Sequence, residues 1–152
     1  METNRRGLKL RNQAREDSIA AMKVDGRCLC GYLSYEAEVD PDLVSICHCA
    51  DCQVLAGSAF RVTVPVTDGS FKFLSGLPKI YVKITASGSK RTLAFCPECG
   101  TSIYSKPADD KSNYFGLRVG SLRQRDTLVP RAQYFHRSAQ SWIDNIGDMP
   151  KF

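Results

Sequence analysis

The chain has 152 residues and a mass of 16.9 kDa, with 43% hydrophobic and 24% charged residues, a composition that fits one ordinary globular domain and leaves no room for a second. Its seven cysteines cannot all pair within the chain, which disfavours a pure disulfide scaffold. The formal charge of +5 sits mostly in Arg5, Arg6, Lys9, Arg11 and Arg15 against Glu2, so the body is nearly neutral and lacks the basic stripe of a nucleic-acid binder.

Residues 1–23 read as a basic extension, solvated and frayed, in which Leu8, Leu10, Ile19 and Met22 are spaced too irregularly for more than a short helix. No apolar run follows the first charged residues, and no stretch approaches the roughly 20 apolar residues that span a bilayer. The expectation is a cytoplasmic protein with reduced thiols, no membrane association and no nucleic-acid partner.

From Arg27 onward the chain reads as short strands, making residues 24–152 a single domain. Gly31 to Val39 alternates polar and apolar residues until Asp40-Pro41-Asp42 breaks the pattern. Further strands are predicted over Ala59 to Val66, Phe71 to Leu74, Lys79 to Ile84, Arg91 to Phe95, Thr101 to Ser105 and Tyr114 to Val119, with turns such as Thr67-Asp68-Gly69-Ser70 between them. One turn of helix is expected around Asp51 to Leu55. The fold class is therefore all-β, mainly antiparallel short strands with little helix.

All seven cysteines fall in three groups: Cys28-Leu29-Cys30, Cys47-His48-Cys49-Ala50-Asp51-Cys52 and Cys96-Pro97-Glu98-Cys99. Paired cysteines on tight turns present two sulfurs to one zinc ion, and Gly31 and Gly100 directly after the outer pairs open those turns. Cys28, Cys30, Cys96 and Cys99 make up a closed four-thiolate site of structural type. Cys47, Cys49 and Cys52 supply three sulfurs, one short of a tetrahedron, as in a zinc site that takes a ligand. A thiol arriving there binds as thiolate, a nucleophile at neutral pH. His48 lies between two ligands, where the backbone turns the intervening side chain away, so an outer-shell or surface role is expected. Asp51 reads as a solvated loop carboxylate, with an outer-shell or proton-carrying role as its functional alternative. A redox reading of Cys96 and Cys99 is disfavoured because a strand, not a helix, follows them.

These motifs, Gly26-x-Cys28-x-Cys30-Gly31, Cys47-His48-Cys49-x-x-Cys52 with Gly57 and Phe60 behind it, and Phe95-Cys96-x-x-Cys99-Gly100-Thr101, together resemble the glutathione-dependent formaldehyde-activating enzyme family, which also contains the centromere protein V domain. Trp142 and Asp148-Met149-Pro150-x-Phe152 look like the family's ending. The resemblance implies an Mss4-like, zinc-stapled fold. It also implies two zinc ions, a structural one on Cys28, Cys30, Cys96 and Cys99 and a functional one on Cys47, Cys49 and Cys52. Glutathione would sit at the second ion and add to formaldehyde, giving S-hydroxymethylglutathione, a carbon-sulfur lyase activity read in reverse. The competing reading is a non-catalytic zinc-binding, thiol-carrying or protein-interaction module. Arg61, Arg118 and Arg123 are candidates for a peptide carboxylate, although strand arginines are usually solvated. His136 reads as a surface histidine. Trp142, Phe152, Tyr134 and Phe135 read as core or C-terminal packing.

Overall fold

Buried side chains from two β-sheets make up the core. The structure is a computed structural model that describes residues 21–109 and 114–152. Strands β1 (Met22–Arg27), β2 (Ser34–Val39) and β5 (Lys72–Ser75) make a three-stranded sheet in the order β1-β2-β5. Strands β3 (Ser45–Cys47), β4 (Arg61–Pro65), β6 (Lys79–Ile84), β7 (Lys90–Phe95), β8 (Ser102–Pro107), β9 (Gly116–Arg118) and β10 (Ala132–Tyr134) make a seven-stranded sheet in the order β10-β3-β4-β9-β8-β7-β6. Every pairing is antiparallel except β10 with β3. Among the described residues there is one α-helix, α1 (Ala50–Ala56), which closes on Gly57, whose φ of 59° is the left-handed conformation that ends helices.

Alternation along the strands sorts the side chains. In the large sheet Val64 lies opposite Leu117, Leu117 opposite Tyr104, and Tyr104 opposite Ala94, one continuous buried row facing the small sheet. The small sheet answers with Val24, Tyr35, Ala37 and Val39. Between them an aromatic cluster forms: the Phe71 ring is 5.5 Å from Tyr35, 5.4 Å from Tyr104 and 4.9 Å from Phe115. Tyr35 is fully buried, which pushes its pKa up to about 12, and its hydroxyl is satisfied by Ser121 Oγ at 2.6 Å.

The all-β expectation holds, and the helix around Asp51 to Leu55 is present as α1. Three expectations need correction. Met22, assigned to a possible short helix, instead opens β1; its companions Leu8, Leu10 and Ile19 lie outside the described residues. Tyr134, Phe135, Trp142 and Phe152 are exposed, not core, because β10 is an exposed edge strand and the chain after it runs over the surface as short 3-10 turns. Arg61 and Arg118 are buried, where solvation was expected; only Arg123 is exposed, beside Asp25. Among the described residues no helix is long and apolar enough to cross a membrane.

A Cβ placed on Gly26 would meet the Tyr35 ring and the Ser121 carbonyl oxygen at 2.7 Å, a backbone atom that cannot swing aside. Gly26→Ala is expected to cost about 1–3 kcal/mol of stability, read from a chemical denaturation curve.

Candidate metal centres

Two sulfur clusters are formed where strands end in turns. Cys28 and Cys30 occupy the turn joining β1 to β2, and Cys96 and Cys99 the turn joining β7 to β8, so the first cluster bridges the two sheets. The turns are tight. Gly31 donates to Cys28 O at 3.1 Å and Gly100 to Cys96 O at 2.9 Å, with φ of 81° and 74°, a region side chains rarely enter. The four sulfurs lie within 4.8 Å of one another. Cys30 Sγ is 3.5 Å from that of Cys28 and 3.7 Å from that of Cys96, and the Leu33 amide donates to Cys28 Sγ at 3.1 Å.

Cys47, Cys49 and Cys52 form the second cluster, also within 4.8 Å and half-buried. The end of β3 places Cys47. Cys49 caps α1, its sulfur accepting from the Cys52 amide at 3.4 Å, and Cys52 lies in the first turn. The His48 imidazole stands outside this sulfur group. It is buried, with Nε2 2.7 Å from Gln133 Oε1 of β10 and its ring edge-on to Phe60 and His136. Asp51 is not a free loop carboxylate: on α1 it pairs with Lys83 of β6, which holds its pKa below the ordinary carboxylate value. His136 is exposed, 3.8 Å from Asp144.

Sulfurs this close cannot all ionise unless a cation joins them. In the first cluster the Thr101 hydroxyl, 3.2 Å from Cys99, heads the influences that draw that thiol down to about 5. Cys30 is pushed up to about 12: the Tyr32 amide favours its thiolate, but burial and the neighbouring cysteines outweigh it. In the second cluster burial pushes Cys52 up to about 12, against the pull of Arg61. Cys49 is lowered: burial opposes this, and the Cys52 amide, Cys52 and Cys47 side chains and Lys83 override it. Soft, convergent sulfur donors of this kind have the chemistry to hold a metal ion in both clusters.

The second cluster faces an outer surface that sequence reasoning did not resolve. Opposite the buried row, Cys47 lies across from Arg61, Thr63 from Arg118, and Arg91 from Lys83. Their side chains line the face of the large sheet turned away from the core, and α1 lies over it, anchored by Asp51 to Lys83. The available signal was the alternation Arg61-Val62-Thr63-Val64, which sends both arginine and threonine away from the valines.

A two-sheet β domain carrying a four-sulfur and a three-sulfur cluster is the class that this geometry defines. The chain belongs to the glutathione-dependent formaldehyde-activating enzyme family, whose model matches residues 23–138. It is 29% identical over 91 residues to an uncharacterized lyase of Schizosaccharomyces pombe, a match covering 60% of this chain and 63% of that protein's length. In fold it is similar to a crystal structure of a Rhodobacter sphaeroides protein, with a TM-score of 0.55 and 17% identity, covering 72% of this chain and 98% of that one.

Gln53 of α1 ties the second cluster's helix to the segment after β10: its Nε2 donates to His48 O at 2.7 Å and Ser138 O at 2.9 Å, while its Oε1 accepts from Gln140 Nε2 at 2.7 Å. Gln53→Ala is expected to cost about 1–2 kcal/mol. Hydrogen exchange should then show faster exchange of the Ser138 and Ala139 amides, with the metal content unchanged.

Proposed function

We propose that the protein is a zinc-dependent carbon-sulfur lyase-type enzyme acting on the adduct of a small thiol, glutathione or a close analogue, with an aldehyde such as formaldehyde. The observation that carries this reading is the second cluster: three convergent sulfurs, half-buried and one short of a tetrahedron. Family membership and the lyase name of the fission-yeast relative support it. The functional unit is residues 24–152, with residues 1–23 as a basic extension, working in the reducing cytoplasm.

Cys28, Cys30, Cys96 and Cys99 would hold a structural zinc ion, and Cys47, Cys49 and Cys52 a second. The second ion, when bound, supplies Lewis acidity that favours the thiolate form of a substrate thiol at neutral pH. The residues around it orient the thiol and keep the outer face polar. In the forward direction the substrate sulfur donates its electron pair to the carbonyl carbon, a C–S bond forms, and the carbonyl π pair moves to oxygen, which takes up a proton. The reverse direction breaks the same C–S bond. Asp51 is engaged by Lys83, so it is better suited to fixing α1 than to carrying that proton.

The zinc-loaded protein should contain two ions per chain by mass spectrometry. Cys49→Ser is expected to abolish S-hydroxymethylglutathione formation while leaving one zinc and a cooperative melt, whereas Cys96→Ser should unfold the domain. Equal loss of folding from both changes would reject the division of roles, and a cobalt-substituted protein whose spectrum no small thiol alters would point to a binding module instead.

A further inference from the structure

The sheets differ in how their edges are closed. The outer side of β1 is met by the segment after β9, where the Arg123 amide donates to Asp25 O at 2.9 Å and Gly26 bridges to Leu122. Strands β5, with four residues, and β10, with three, are short for an edge that could template another chain. Strand β6 at the far end of the large sheet has neither protection. It runs six residues, Lys79-Ile80-Tyr81-Val82-Lys83-Ile84, without a proline and without a register shift against β7. Among the described residues nothing pairs with its other side.

The hairpin geometry shows which backbone groups that side presents. The Thr85 amide donates to Ser89 O at 2.8 Å across the turn between β6 and β7. Hydrogen-bonded pairs recur every second residue in an antiparallel ladder, so Lys83 and Tyr81 also turn their N–H and C=O toward β7. Lys90, opposite Ile84, agrees with this phase, since its carbonyl accepts from the Ala108 amide on the β8 side at 3.0 Å. Ile80, Val82 and Ile84 therefore send their N–H and C=O outward. Their side chains share the face of Ala94, which lies across from Ile80, yet the small sheet leaves them 46%, 46% and 68% exposed. An edge with free amides beneath three exposed β-branched side chains is built for another strand.

The sequence of the edge points to what that strand is. Two copies of β6 set antiparallel about Val82 bring outward residues opposite outward residues: Val82 faces Val82, and Ile80 faces Ile84 of the second copy. Each of these pairs can exchange both backbone hydrogen bonds, and every side chain on that face is apolar. On the opposite face Tyr81 meets the second copy's Lys83, so no like charges oppose. Neighbouring registers are worse. Centring on Tyr81 sets Lys79 against Lys83 and spends a bond on Pro78, which has no N–H; centring on Lys83 sets that lysine against itself.

We propose that the chain forms a symmetric dimer through antiparallel pairing of β6 with β6 of a second copy, centred on Val82, which joins the two large sheets into one. The contact is isologous and closes on itself, so it stops at two copies. It is independent of the chemistry proposed for the sulfur clusters.

The test follows the full chain by sedimentation velocity over about 1–500 µM, with amide hydrogen exchange at both ends of that range. A monomer–dimer transition is expected, in which the Ile80, Val82 and Ile84 amides slow as the dimer forms while the Tyr81 and Lys83 amides, bonded to β7, are slow throughout. Val82→Lys, which sets two lysines against each other, is expected to weaken the dimer at least about tenfold and to leave the melt of the monomer unchanged, because the side chain is exposed there. Ile80→Lys should weaken it similarly, and adding Ile84→Glu should restore it, since the register about Val82 opposes those two positions. A chain that stays monomeric throughout overturns the proposal. Protection of the three outward amides in that monomer would mean that the chain covers its own edge, and protection gained only on adding an extended peptide of alternating apolar residues would make the edge a peptide site. A dimer that Val82→Lys leaves intact overturns it as well.

Discussion

Four sulfurs from two turns are the constraint on which the rest of the fold hangs. Cys28 and Cys30 leave the small sheet, Cys96 and Cys99 leave the large one, and their sulfurs meet within 4.8 Å. Cys28 and Cys96 are also buried in the core cluster itself, so the cluster is continuous with the apolar packing. A chain of this length buries perhaps two thirds of its unfolded surface, a modest reserve for two sheets whose strands run only three to six residues. Thiolates crowded to this distance repel, and a cation that joins them turns that repulsion into a cross-link between sheets. The second cluster makes no such bridge between the sheets. It lies at the end of β3 and the start of α1, within one stretch of chain, and joins nothing that the sheet has not already joined.

That difference explains how the strands can serve two purposes at once. The row from Val64 through Leu117 and Tyr104 to Ala94 faces the core, while the alternate positions carry Arg61, Thr63, Arg118 and Arg91 to the opposite face. Period-two alternation fixes both faces together: a shift of register by one residue would send the arginines into the aromatic cluster and the valines to the sulfur site. Selection for a packed core therefore also holds the cations in place over the second cluster.

How much of this is legible without coordinates depends on the range of the interaction. Strands β4 to β9 are visible because β-branched and aromatic residues alternate between Gly-rich turns, and the cysteine groups are visible because ligand spacing is local. Strand β1 is hidden because Lys23, Asp25, Gly26 and Arg27 give no strand pattern on their own; β2 pairs with them to make it. Strands β3 and β10 have three residues each, and β10 exists only through its parallel pairing with β3. The burial of Arg61 and Arg118 was missed for the same reason: a strand arginine reads as solvated, and only the cross-strand pairing with Cys47 and Thr63 and the covering of that face show otherwise. The exposed Trp142 and Phe152 err in the other direction, since aromatic content alone does not say that a terminal segment finds a surface to cover.

The two polar side chains with buried, unpartnered atoms among the described residues are His48 at Nδ1 and Arg118 at Nε and Nη2. They differ in what the fold asks of them. His48 is neutral in one protonation state, its Nε2 is engaged by Gln133, and its ring packs against Phe60 and His136, so one idle lone pair or proton is a small debt within a packed layer. Arg118 keeps its charge at neutral pH and leaves a whole edge of its guanidinium unmatched. A sheet that needed only to be stable would place an apolar side chain opposite Thr63, because replacing a buried charge by a hydrophobic residue is commonly neutral or favourable. The single bond from Arg118 Nη1 to Thr63 Oγ1 satisfies only part of what burying that guanidinium costs.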